Sequence, residues 1–110
     1  AGITGVYGTQ YDGIIVGNGA DNGLSGRDRG NDVLRGRDGN DALHGGSGAD
    51  VLNGGQGDDG LRGDIGGDRL YGGDGNDEMH GGDGTDTLDG GDNIDECTRG
   101  ENYESCEVIL

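Results

Sequence analysis

The sequence predicts an all-β fold: a two-sheet parallel solenoid that advances 18 residues per coil. Three observations carry that prediction. From Gly45 to Gly91 one nine-residue unit, G-G-x-G-x-D-x-U-x with U a large apolar residue, repeats five times, starting at Gly45, Gly54, Gly63, Gly72 and Gly81. A fixed short period of this kind marks a stacked repeat architecture. The chain has 30 Gly and no Pro, and glycine at this density excludes stable helices. Finally, the eighth slot of every unit is apolar (Leu52, Leu61, Leu70, Met79, Leu88) while its neighbours vary. That pattern makes each x-U-x piece a short strand with one inward side chain, followed by a six-residue turn.

Taken in order, residues 1–26 are a degenerate N-terminal cap, since terminal repeats are commonly atypical. In this cap Asp12 with Ile14 fits the Asp-x-U pattern, and Asn22 with Leu24 fits it with Asn for Asp, Asp21 being the alternative. Regular nonapeptides run over 27–96. RDRGNDVLR follows one inserted residue and carries Asp32 and Leu34; GRDGNDALH carries Asp41 and Leu43, with Arg37 in place of the second Gly. The five regular units follow, with Asp50, Asp59, Asp68, Asp77 and Asp86 in the sixth slot, and GGDNIDECT then carries Asp95. Residues 97–110 form a C-terminal cap, closing on Val108, Ile109 and Leu110. No linker or second domain interrupts the chain. The core expected from the apolar slots is Ile14, Leu24, Leu34, Leu43, Leu52, Leu61, Leu70, Met79 and Leu88.

Composition says that burial alone does not hold this fold. Apolar residues make up 27% of the 110, and the formal net charge is −16, from 18 Asp, 5 Glu and 7 Arg. One buried aliphatic per nine residues does not offset the ordering of a glycine-rich nonapeptide. High charge with low hydrophobicity is the signature of disorder, and disorder is the expectation for the metal-free chain. The acidity excludes a phosphate-binding basic patch, and no apolar run is long enough to span a bilayer. No leader segment is visible, although Ala1 can follow a removed one.

The placement of Asp supplies the missing stabilisation. With two units per coil, Asp32, Asp50, Asp68 and Asp86 stack on one edge, with Asp12 at its start. Asp41, Asp59, Asp77 and Asp95 stack on the other. Carboxylates stacked at about 4.8 Å repel one another. A cation between each pair reverses that repulsion. Glycine turns let carbonyls converge on the same point. All-oxygen ligation of loose geometry suits calcium better than magnesium. Ten turns in two rows imply roughly six to eight calcium ions.

The repeat resembles the nonapeptide of the RTX family, over about residues 27–97 closely and 8–26 loosely. The resemblance implies a right-handed parallel β-roll that folds when calcium binds, with turn carbonyls and the Asp of stacked turns holding each ion. Carried onto this chain, it assigns carbonyl ligands to Gly46, Gly48, Gly55, Gly57, Gly73, Gly75, Gly82 and Gly84, beside the Asp rows. Arg37 and Asp64 stand where the family has its second Gly, Asn93 stands in the fourth slot, and the turn at Arg27 lacks the Gly pair. These departures weaken individual sites unless the backbone still makes the turn.

Cys97 and Cys106 are nine residues apart and so fall in apolar slots of consecutive units, on opposite sheets. A disulfide across the core follows, stabilising by about 2–3 kcal/mol and implying an oxidising compartment. His44 and His80 fall in outward ninth slots on one sheet and read as solvated surface side chains. Met79 sits in the ladder register and reads as core. Asp74-x-Asn76-x-Glu78 begins like an EF-hand loop but has Met79 where Gly is required and Thr85 where Glu is required. No nucleophile elbow, P-loop or zinc-protease motif occurs. The reading is therefore a secreted, monomeric calcium-binding module without enzymatic activity. Two alternatives remain: a solenoid that binds ice or polysaccharide through an outward array, and the C-terminal part of a larger secreted toxin or hydrolase.

Overall fold

A computed structural model describes residues 4–7, 13–26, 30–91, 96–98, 102–104 and 107–108, with side chains over 13–26 and 30–91. In chain order its strands are β1 (Thr4–Tyr7), β2 (Ile14–Val16), β3 (Asn22–Ser25), β4 (Val33–Arg35), β5 (Ala42–His44), β6 (Val51–Gln56), β7 (Gly60–Ile65), β8 (Arg69–Asp74), β9 (Glu78–Asp83), β10 (Thr87–Asp89), β11 (Glu96–Thr98), β12 (Asn102–Glu104) and β13 (Glu107–Val108). Odd strands form one sheet and even strands the other, and each sheet is ordered along the chain. Neighbouring strands are parallel throughout. Two units therefore make one coil, as the period predicts. No helix occurs among the described residues.

The register is the 18-residue step over the regular repeats: Leu34 pairs with Leu52, Leu52 with Leu70, and Leu43 with Leu61. Earlier the step is 19, with Ile15 opposite Leu34 and Leu24 opposite Leu43. The inserted residue thus lies between Leu24 and Leu34. The core is a single file of side chains between the sheets: Ile15, Leu24, Leu34, Leu43, Leu52, Leu61, Leu70, Met79 and Leu88.

Three expectations are corrected. Ile15, not Ile14, fills the first apolar slot; Ile14 is 76% exposed. The two residues are equally apolar, and a one-residue slip exchanges the faces of a strand. The Val33 N–H bonds the Gly13 carbonyl, as Val51 bonds that of Asp32, which puts Gly13 in the sixth slot and Ile15 two residues later. The strands of the regular region are also longer than three residues. In β6 to β9 they continue through the first three turn residues, so that Gly55 pairs with Gly73 and Asp64 with Gly82. Glycine lets this stretch stay close to the next coil. Lastly, the nine-residue spacing does not continue past Cys97. Tyr103 takes the register opposite Leu88, and Val108 lies opposite Cys97 in the same sheet. The C-terminal cap is shorter than a full coil, and Cys106 is not the next apolar position. Cys106 itself lies outside the described residues.

Candidate metal centre

Each turn delivers its sixth residue to the sheet boundary, where the carboxylate is enclosed. Asp32, Asp41, Asp50, Asp59, Asp68, Asp77 and Asp86 are at most 3% exposed, and Asn22 matches them. They form two ladders. On one edge the Asp32 N–H donates to Asp50 Oδ1 at 2.7 Å, Asp50 to Asp68 and Asp68 to Asp86 at 2.8 Å. On the other, Asn22 N–H donates to Asp41 Oδ1 at 2.7 Å, Asp41 to Asp59 and Asp59 to Asp77 at 2.8 Å. The two-row arrangement expected from the period is therefore present, with Asn22 rather than Asp21 in the slot. Asp21 is exposed. Asp12 and Asp95 lie outside the described residues.

The second carboxylate oxygen is the chemically open one. Oδ2 of Asp41, Asp59 and Asp68 is buried and accepts no hydrogen bond. A buried charged oxygen in that state is costly unless a counter-charge meets it. Burial accordingly pushes the Asp59 and Asp68 carboxyls up to about 7, with neighbouring carboxylates adding to the effect and the donated N–H opposing it. Asp41 is raised for the same first reason. Such groups are proton acceptors near neutrality or, better, partners for a cation.

Oxygens converge around these Oδ2 atoms. A Cβ at Gly36 would collide with Asp41 Oδ2 and stand 2.8 Å from the Gly54 carbonyl oxygen. Gly54 relates in the same way to Asp59 and the Gly72 carbonyl, and Gly72 to Asp77 and the Gly90 carbonyl. First-slot glycines thus leave open a small cradle lined by a carboxylate and a carbonyl. Sequence reasoning missed these glycines; their invariance across the units was the available signal.

The turn glycines behave as the repeat demands. Gly46, Gly48, Gly55, Gly57, Gly73, Gly75, Gly82 and Gly84 all have positive φ, and so do Gly30, Gly39, Gly66 and Gly91, which the sequence reading did not single out. At Gly48 (φ 116°) an added Cβ would overlap the Gly30 carbonyl, because successive turns stack carbonyl under α-carbon. The two second-slot departures keep this geometry: Arg37 has φ 73° and Asp64 φ 76°. Non-glycine residues there carry about 1–2 kcal/mol of strain, so the turn is imposed by its neighbours.

The donors are all oxygens, which fits a hard cation. Among the described residues no three His, Cys, Asp or Glu side chains gather as a metal site. A cation here would therefore depend on backbone carbonyls as well as stacked carboxylates. His44 lies apart on the outer face of the odd-strand sheet, paired with Asp64, and His80 follows two coils on in the same outward row.

No curated protein and no solved structure matches the chain. A family model described as the RTX calcium-binding nonapeptide repeat (4 copies) matches residues 27–61 and 62–96. Those are the coils in which both Asp ladders are built, and the repeat is a structural unit, not a catalytic one. The chain belongs to the RTX calcium-binding nonapeptide repeat family.

Proposed function

We propose that this calcium-binding repeat module is a secreted domain whose folding is driven by calcium held between stacked turns. The observation that carries the reading is the set of buried Oδ2 atoms at Asp41 and Asp59 on one edge and Asp68 on the other that accept no hydrogen bond. Calcium would supply the positive charge that lets these carboxylates stay ionised in the folded chain. Asp32, Asp41, Asp50, Asp59, Asp68, Asp77 and Asp86 would be its side-chain ligands, with carbonyls of the turn glycines Gly46, Gly48, Gly55, Gly57, Gly73, Gly75, Gly82 and Gly84. Asn22 offers no charge, so the first gap on its edge holds one carboxylate where the others hold two.

Binding free energy is then folding free energy. At calcium concentrations of about 10⁻⁴–10⁻³ M, the range of extracellular modules, the roll forms; below it the acidic chain is disordered. This behaviour suits export of an unfolded chain and folding outside the cell. The ion count follows from the gaps, roughly six to eight. The test is far-UV circular dichroism during a calcium titration, with magnesium as control. A cooperative gain of β signal with calcium alone is expected. The same folded spectrum in excess chelator would refute the reading.

A further inference from the structure

The two edges of the roll are not built alike, and the difference lies in the fifth slot of the turn. On the edge of Asp41, Asp59 and Asp77 that slot holds Asp21, Asn40, Asp58 and Asn76. The first three each hand an oxygen to the coil that follows. The Asn40 N–H donates to Asp21 Oδ1, Asp58 N–H to Asn40 Oδ1 and Asn76 N–H to Asp58 Oδ1, all at 2.8 Å. These bonds run opposite to the sixth-slot ladder, in which the later coil supplies the oxygen. Among the described residues, the three gaps from Asn22 to Asp77 are therefore each closed by a reciprocal pair. Asp58 receives support from Asn40 while Asp59 supports Asp41.

The edge of Asp32, Asp50, Asp68 and Asp86 has Asn31, Ala49, Gly67 and Thr85 in the same slot. There the Ala49 N–H donates to Asn31 Oδ1 at 2.9 Å. Ala49 and Gly67 carry no side-chain acceptor, so the next gaps on this edge lack the second bond. Asp and Asn alternate in the complete ladder, so the shared oxygen acceptor matters and the charge does not.

We infer that Asp21, Asn40 and Asp58 are positioning residues for calcium. They hold the turns of one edge in register as the roll forms, so that the sites of this edge fill at lower calcium than those of the other. The inference rests on the calcium-driven reading above. The acceptors touch no cation; they fix the turn backbone, and a preorganised turn gives up less entropy on binding. A net hydrogen bond corresponds to about a fivefold difference in midpoint.

The experiment is a calcium titration of the full chain followed by amide NMR, comparing Asp41 and Asp59 with Asp50 and Asp68. In the native chain the first pair should shift at about fivefold lower calcium. Replacing the stitch with Asp21→Ala, Asn40→Ala and Asp58→Ala should close that gap, while the exchange Asn40→Asp with Asp58→Asn should preserve it. If the alanine variant fails to fold, Ala49→Asn supplies the reverse test. It offers Gly67 an acceptor and should lower the midpoint at the Asp50 edge alone. Coincident midpoints in the native chain would overturn the proposal. So would an alanine variant that moves both edges equally, or an exchange that behaves like alanine. A native chain with no calcium response at either edge would instead sink the calcium reading itself, which keeps the two failures distinguishable.

Discussion

The two edges of the roll share one sterically defined turn and differ in how that turn is secured. Both bury a column of aspartates, and both stack positive-φ glycines over the carbonyls of the coil before. The Asp59 edge adds fifth-slot bonds across three successive gaps, where the Asp50 edge has one at Asn31, and it exposes Asp38 and Asp74 beside them. The Asp50 edge has the exposed Ile65, and its Asp64 is engaged with His44. In one molecule the same nonapeptide has thus been given a doubly bonded edge and a barer one. The difference teaches that slots written as x in a repeat are not equivalent. A position free in the consensus can still carry a hydrogen bond that recurs from coil to coil.

The largest expected effect should be the same at both edges, because it tests what they share. Gly48→Ala and Gly57→Ala each place a Cβ on a carbonyl at φ 116° and 112°. Each should destabilise the calcium-loaded roll by about 2–3 kcal/mol, measured by chemical denaturation. A loss confined to one edge would mean that the turns are not sterically equivalent. As a control, Gly60→Ala meets open space and should be close to neutral.

The next effect separates charge from shape. Asp68→Asn and Asp59→Asn keep a side chain of the same size and remove a carboxylate that burial disfavours. The calcium midpoint should rise about tenfold, since ligand charge sets affinity. At pH 8 without calcium the same variants should hold more residual β structure than the native chain. Loss of structure in both conditions would show that the carboxylate stabilises the fold without a cation.

Proton linkage gives a third, smaller effect of opposite sign in the two states. Burial holds Asp59 and Asp68 at about 7 in the folded chain, against 3.8 for a free aspartate carboxyl. Between about pH 4 and pH 7 the folded, calcium-free chain therefore holds protons that the unfolded chain has released. Its stability should fall as pH rises through that window and stay low above it. With saturating calcium the dependence should reverse, because protons compete with the ion for the same oxygens. Circular dichroism against pH, with and without calcium, checks both signs.

The smallest prediction concerns the Asp59 edge alone. Arg37 adopts φ 73° in a slot that elsewhere holds glycine. Arg37→Gly should raise stability in calcium by about 1 kcal/mol, as relief of the left-handed conformation outweighs the added chain freedom. No gain would mean that the guanidinium contributes to the edge.

Much of this was legible in the chain. The period placed Leu34, Leu43, Leu52, Leu61, Leu70, Met79 and Leu88 inward and sorted Asp32 through Asp86 into two columns, because a repeat in strict register repeats its geometry as well. Legibility failed where the repeat frays. Ile14 and Ile15 look alike in hydropathy, and only the bond from Val33 to Gly13 selects between them. The spacing of Cys97 and Cys106 suggested one more unit, whereas Tyr103 takes that register. The fifth-slot ladder was missed because Asp and Asn alternate in it and no single letter recurs.

The sequence by itself determined the coil length, the identity of the inward side chains and the all-oxygen chemistry of the turns. Each of these depends on spacing along the chain and on residue type, which a nine-residue period states directly. Only the tertiary structure decided which oxygen of Asp41, Asp59 and Asp68 is bound and which is open, which isoleucine is buried, and which edge is stitched twice. Those outcomes depend on what lies 18 residues away in the chain and one strand away in space.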